Sequence, residues 1–167
     1  VKKINHKDLI LVIAPRHPER FIEVEKIFQA QNLKIIKKSK LARLNKAPKY
    51  ILVDTMGDLY EIYGIASLAV MGGSILDYGG QNPIEPMSLN IQTAVGPSIY
   101  NFKDLVNDAI KSKAIFSFQD IEELEQIIKS LLVEKKINQD ILSNAREYLK
   151  KSSGSTEKVV RLINQYL

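Results

Sequence analysis

Apolar residues along the chain fall into short continuous runs separated by amphipathic stretches. Leu9 to Ala14 is an aliphatic run stopped by Pro15, the pattern of a strand buried on both faces. Phe21, Val24, Ile27 and Phe28 then share one side of a 3.6-residue period, with Arg20, Glu23, Glu25 and Lys26 interleaved, which predicts an amphipathic helix. Lys34 to Ile36 reads as a short strand, the basic stretch from Lys37 to Lys49 as an exposed loop, and Tyr50 to Asp54 as another buried strand. Leu59, Ile62, Tyr63 and Ala66 mark a helix face, and Leu68 to Met71 is a strand. A helix starts near Pro83, Thr93 to Val95 is a strand, Phe102 to Lys111 is a helix, and Ala114 to Phe118 is the last strand.

From Asp120 the pattern changes to helix after helix. Asp120 and Glu123 have the spacing of a capping box, and Ile121, Leu124, Ile127, Ile128 and Leu131 form the buried stripe behind it. Residues 137–150 and 157–167 read as two further helices. Strand and helix thus alternate before a helical tail at 120–167. The expected class is α/β, a mostly parallel sheet with flanking helices, in a single domain over 1–167.

The chain has 167 residues, 45% of them hydrophobic, 26% charged and 7% aromatic, which excludes a disordered tail, a collagen-like repeat and a coiled-coil rod. No apolar run approaches the ~20 residues of a membrane span. With no cysteine, disulfides, thiolate zinc sites and cysteine nucleophiles are excluded, and two histidines make a histidine-rich metal site a poor expectation. The 24 Lys and Arg against 19 Asp and Glu leave a net charge of +5, which suits an anionic partner. No RNA-binding motif or row of stacking aromatics accompanies it, so nucleic acid is not the expected partner. The first residues lack an initiator Met and break their apolar run with charges, so they do not read as a signal peptide but as a cut from something longer.

The conformationally special residues cluster. Gly57, Gly72, Gly73, Gly79, Gly80 and Gly96 follow predicted strands, as do Pro15, Pro18, Pro83, Pro86 and Pro97. Parallel strands point one way, so these segments are expected to converge at the carboxyl ends of the strands, where open α/β sheets bind ligands. The alternative is that glycine and proline only punctuate short connections. In Gly79 to Pro86, Asn82 suits a helix cap and Pro83 the first helical position, so that the helix N-terminus offers N–H groups and a dipole end to a phosphate. Glu85 suits vicinal ribose hydroxyls, or else serves the dipole alone. Arg16, after the first strand, suits a phosphate or carboxylate, with the exposed loop arginine as its alternative; His17 beside it is a loop-ordering residue. Thr55 to Asp58 presents backbone to a flat base, with Asp58 equally readable as a cap. Asp77 and Tyr78 suit a ligand or loop packing alike, and no P-loop, dinucleotide fingerprint or nucleophile elbow is present.

Ala14 to Phe21 (APRHPERF), Asp54 to Leu59 (DTMGDL), Gly72-Gly73-Ser74, Gly79 to Pro86 (GGQNPIEP) and Gly96-Pro97 with Asn101-Phe102, in that order, resemble the C-terminal half of the 3-deoxy-D-manno-oct-2-ulosonic acid (Kdo) transferases. The resemblance implies a GT-B glycosyltransferase, two Rossmann-like domains across a cleft, of which this chain is the C-terminal, donor-binding one. It implies CMP-Kdo as donor, a lipid A precursor as acceptor, the cytoplasmic face of a Gram-negative inner membrane as location, and no metal or other cofactor. Carried over residue by residue, the CMP contacts are Pro15 and Arg16, then Met56, Gly57 and Asp58, then Asn82, Pro83, Ile84 and Glu85. The family's catalytic base lies in the N-terminal domain, so no catalytic residue is expected here, and the chain alone is expected to be inactive. Three departures stand out: Gln81 where the family commonly has His, Asn90 in place of a small residue, and Asp58 in place of the longer Glu. The family also has a central strand before the point matching Val1, which implies a sheet without its middle. A UDP-sugar enzyme of the same fold and a non-catalytic nucleotide-binding module are the alternatives.

Overall fold

The computed structural model describes residues 4, 6, 9–43, 47–134 and 138–152, and the chain divides into two units, Val1–Leu59 and Tyr60–Leu167. The helix expected at 157–167 lies outside the described residues. Among the described residues six strands pair in two three-stranded sheets, every pairing parallel, with orders β1-β3-β2 and β4-β5-β6. The expected α/β class with a parallel sheet is therefore what the chain adopts.

In the first unit, β1 (Leu11–Ile13), α1 (Arg20–Ala30), β2 (Ile36–Lys37) and β3 (Tyr50–Leu52) follow in order. β3 lies between its two neighbours and carries the burial: Leu52 is fully enclosed, and Tyr50 and Val53 are buried. Enclosing a leucine completely is worth about 1.5–3 kcal/mol. Phe28 of α1 meets Tyr50 edge to face, ring centroids 5.3 Å apart. β1 departs from expectation. Among the described residues it pairs with β3 alone, and Ile10 and Val12 are exposed, because a continuous apolar run says that a strand prefers burial without saying what covers it. The stripe of α1 also narrows, since Phe21, Val24 and Phe28 are half-buried while Ile27 is exposed. The basic stretch is not all loop: Lys38–Arg43 forms 3-10 turns directly after β2.

After α2 (Leu59–Gly64), which begins at the last residue of the first unit, the second unit continues with β4 (Leu68–Met71), α3 (Ile84–Ser88), β5 (Gln92–Val95), α4 (Lys103–Lys111), β6 (Phe116–Ser117), α5 (Ile121–Glu134) and α6 (Gln139–Ser152). β5 sits between β4 and β6 with all four residues buried. Met71, Met87, Val95, Val106, Ala109, Ala114, Ile115 and Ala145 make its main core, joining β4, β5, α3, α4 and α6. A second cluster sets Ala94 and Phe118 against Leu124 of α5. The capping box forms with a shift. Asp120 Oδ1 accepts the Glu123 N–H at 2.8 Å, and the Glu123 carboxylate reaches back past Asp120 to the N–H of Gln119, also 2.8 Å. Asn90, which ends α3, has φ +61, a left-handed conformation asparagine tolerates, and its amide oxygen accepts from Arg146 at 2.7 Å. Among the described residues no helix is long and apolar enough to cross a membrane.

Candidate functional site

The carboxyl ends of β1 and β3 lie side by side in the first unit, with Ile13 opposite Leu52 and the Val53 N–H donating to the Ile13 carbonyl at 2.9 Å. Pro15-Arg16 and Thr55-Asp58 therefore leave the same sheet edge. Pro15 is half-buried. The Arg16 guanidinium is exposed and makes no hydrogen bond or ion pair among the described residues. His17 stands 3.9 Å from the Glu19 carboxylate, both exposed, in line with a loop-ordering part. Met56 is 68% exposed. Gly57 has φ +89 with nothing within 4 Å of where a Cβ would stand, so the backbone there is open to solvent in a conformation that disfavours a side chain.

Asp58 is neither a free ligand group nor a simple cap. Lys38 Nζ lies 2.8 Å from its Oδ2, the Thr55 hydroxyl donates to the same oxygen, and these two partners, Lys38 foremost, hold the carboxyl below its ordinary range. One turn back, Asp54 accepts from the Ser39 N–H at 3.0 Å and the Ser39 hydroxyl at 2.6 Å. Burial raises the Asp54 carboxyl, but the Ser39 hydrogen bonds together with Lys37 outweigh it and the net position is low. Lys38 and Ser39 were hidden in sequence within a stretch that reads as basic loop. No local signal in the sequence marks them, because their place at the end of β2 matters only through the pairing of β2 with β3.

In the second unit, Met71 of β4 is opposite Val95 of β5, so the Gly72–Glu85 segment and Gly96-Pro97 again share one edge. The two are tied together at Ser74, which is buried. Its hydroxyl donates to the Met71 carbonyl at 2.6 Å and accepts the Gly96 N–H at 2.6 Å, while its carbonyl accepts the Ser98 N–H at 3.0 Å. Further along, the Gly79 N–H donates to Ser98 Oγ at 2.8 Å, and the Asn101 N–H to the Gly79 carbonyl at 3.0 Å. Asp77 is used within this bracing, accepting from Ser98 Oγ at 3.4 Å, which favours the packing alternative for that residue.

At the start of α3, Asn82 Oδ1 accepts the Ile84 N–H at 3.0 Å, the capping contact expected of it, while Pro83 has helical dihedrals (φ −81, ψ −7) but stands at the N-cap, one residue before the first helical position expected for it. The consequence for phosphate binding differs from the expectation. Pro83 and Pro86 have no N–H, and that of Ile84 is spent on Asn82. Glu85 is left as the first-turn N–H without a hydrogen-bond partner among the described residues. A helix of five residues also sums few peptide dipoles. The Glu85 side chain is exposed and lies close enough to Tyr63 that, after burial, its charge helps push the tyrosine hydroxyl above 10.0. The strand-end segments thus meet as two pairs, one within each unit. Among the described residues no group of three or more His, Cys, Asp or Glu is placed to hold a metal.

No protein-family model matches the chain. It is 28% identical over 163 residues to the 3-deoxy-D-manno-octulosonic acid transferase of Haemophilus influenzae, covering 97% of this chain and 38% of that protein. The enzyme of the same description from Bordetella pertussis is 33% identical over 164 residues, covering 96% of this chain and 38% of that one. The chain therefore spans about two fifths of the length of the curated relatives it matches. Among solved structures, it superposes on the C-terminal CMP-Kdo binding domain of WaaA from Acinetobacter baumannii with a TM-score of 0.76 and 33% identity, covering 84% of this chain and 74% of that one.

Proposed function

We propose that this chain, which belongs to the 3-deoxy-D-manno-octulosonic acid transferase family, is the donor-binding domain of such an enzyme and holds the CMP part of CMP-Kdo. The observation that carries the reading is the likeness in both sequence and fold to a C-terminal CMP-Kdo binding domain over 84% of the chain. The two sheet edges described above hold the segments from which the CMP contacts were assigned. Pro15, Arg16, Met56, Gly57 and Asp58 come from the first unit, and Asn82, Pro83, Ile84 and Glu85 from the second.

Each group has a chemical part in that reading. Arg16, exposed and unpaired among the described residues, takes the phosphate through charge-assisted hydrogen bonds, and it bears more of the leaving-group charge because α3 supplies so few free N–H groups. Met56 and Gly57 offer an apolar face and a bare backbone edge to cytosine. Asp58, engaged by Lys38 and Thr55, works through backbone and position more than as a free carboxylate. Glu85 accepts from the ribose hydroxyls. The acceptor hydroxyl of a lipid A precursor, deprotonated by a carboxylate of the N-terminal domain, displaces CMP from the anomeric carbon with inversion at the cytoplasmic face of a Gram-negative inner membrane. On this reading the 167-residue chain binds donor and transfers nothing alone.

Calorimetric titration of the chain with CMP and UMP tests the reading. CMP is expected to bind more tightly, and Arg16→Ala to weaken it by roughly 10- to 100-fold, the worth of a charge-assisted hydrogen bond, with melting unchanged. Tighter binding of UMP favours a UDP-sugar enzyme. CMP affinity indifferent to Arg16→Ala and Glu85→Ala favours a non-catalytic module, and transfer of Kdo by the isolated chain refutes the division of labour.

A further inference from the structure

We propose that Lys38 and Ser39 are positioning residues for the nucleobase, clamping both carboxylates of the Asp54–Asp58 segment and so setting the edge that Met56 and Gly57 present to the base. The inference rests on the reading of that segment as part of the CMP contacts.

Two adjacent residues at the end of β2 hold two carboxylates four positions apart at the end of β3. Ser39 takes Asp54 through its N–H and its hydroxyl, and Lys38 takes Asp58 at 2.8 Å. β2 and β3 are paired in parallel up to Lys37 opposite Leu52, so the backbone anchors of the clamp are fixed by the sheet itself. Between the held ends lie Thr55, Met56 and Gly57. The first is tied to Asp58 by its hydroxyl, while Gly57, at φ +89 with open space around it, is the point where the segment could take other shapes. Fixing both ends removes those shapes before a ligand arrives, and affinity then loses less to ordering. The clamp also has an electrostatic side. Asp58 standing free would repel an anionic nucleotide, and the Lys38 ammonium offsets that charge while its own ion pair keeps it where it is.

Lys38 in this account does not touch the ligand, which separates it from Arg16. A cation that gripped phosphate would serve every nucleotide equally. A residue that sets the shape of the base edge must affect discrimination between bases. Lys38 and Asp58 are both partly exposed, at 31% and 26%, so removing the ammonium leaves no buried unpaired charge to unfold the chain.

The experiment is calorimetric titration of the full chain with CMP and with UMP, for wild type, Lys38→Met, Lys38→Arg and Ser39→Ala, with melting temperatures recorded alongside. Lys38→Met is expected to lose about tenfold in CMP affinity through lost preorganisation, and to narrow the CMP-to-UMP ratio, with the melting temperature little changed. Lys38→Arg is expected to restore most of the ratio, and Ser39→Ala to narrow it as well. Equal losses for CMP and UMP in Lys38→Met would make Lys38 a direct phosphate ligand and overturn the proposal, as would CMP binding unchanged in both Lys38→Met and Ser39→Ala. A wild-type chain that leaves CMP unbound overturns the donor-binding reading and this inference with it.

Discussion

Replacing Gly96 by alanine tests the bracing of the second sheet edge most directly. A Cβ at this position would stand 2.5 Å from the Ser74 carbonyl oxygen, 2.9 Å from its carbon and 3.1 Å from Phe118 Cε2. Two of these are backbone atoms and the third belongs to a ring only 1% exposed, so no flexible side-chain end can swing aside. Ser74 is held on three sides, by the Met71 carbonyl and the N–H groups of Gly96 and Ser98, and any shift that admits the methyl disturbs those bonds. Overpacking of this kind costs about 1–3 kcal/mol, a weakened buried hydrogen bond about 1 more, and the stiffer unfolded chain returns about 0.4–1, for a net loss of about 1–3.5 kcal/mol. At about 2–4 °C per kcal/mol for a chain of this size, the melting temperature should fall by about 7 °C, within a span of about 2–14 °C. The assay is thermal unfolding followed by circular dichroism, with Gly72→Ala as the companion. That Cβ meets nothing within 4 Å, and its melting should stay within about 0.5 kcal/mol of wild type. Melting of Gly96→Ala within about a degree of wild type would refute this, since it would mean that the Ser74 turn yields freely.

Gln92 is 2% exposed, donates to the Ser67 carbonyl at 3.1 Å and accepts the Asn138 N–H at 2.9 Å; Gln92→Leu should cost about 1 kcal/mol in urea unfolding through the loss of both bonds, whose partners lie on exposed residues. Gly57→Ala forces a side chain into φ +89 and should lower stability by about 1 kcal/mol with a several-fold loss of CMP affinity, measured by calorimetry. Asp54 has a folded carboxyl held below its ordinary 3.8, so its contribution is fully present above about pH 4 and is lost as pH falls through the folded value. Asp54→Asn should accordingly flatten the acid side of a stability-against-pH curve and leave the slope near neutrality unchanged.

The strands and the longer helices were legible because their signals are local. Leu68–Met71 is a four-residue apolar run with turn residues beyond it, and Phe102 to Lys111 repeats its apolar positions every three to four residues, so each element announces its own bounds and inward face. Asn82 and Pro83 were legible for a similar reason, because capping chemistry acts within two or three residues. Lys38 was not. Its meaning depends on Asp58, twenty residues on, and the two meet because β2 and β3 are paired in parallel, a fact no window along the chain contains. The scarcity of free N–H groups at α3 was readable in principle, from two prolines and a capping asparagine, yet the length of the helix that decides its dipole was not.

The amino-acid sequence by itself determined the α/β class, the glycine- and proline-marked segments that end the strands, and the family, since ordered local motifs survive without any coordinates. The tertiary structure decided which strand is covered, which carboxylate is already spoken for and which glycine has no room for a side chain. Ile10 and Val12 are as apolar as Leu52, but among the described residues β3 has a strand on each side and β1 has one. Asp58 looks like an available acid until Lys38 is seen beside it, and Gly96 looks like any loop glycine until the Ser74 carbonyl is found at 2.5 Å from its missing methyl. Burial and pairing are properties of what lies opposite a residue, and the chain specifies that only after it has folded.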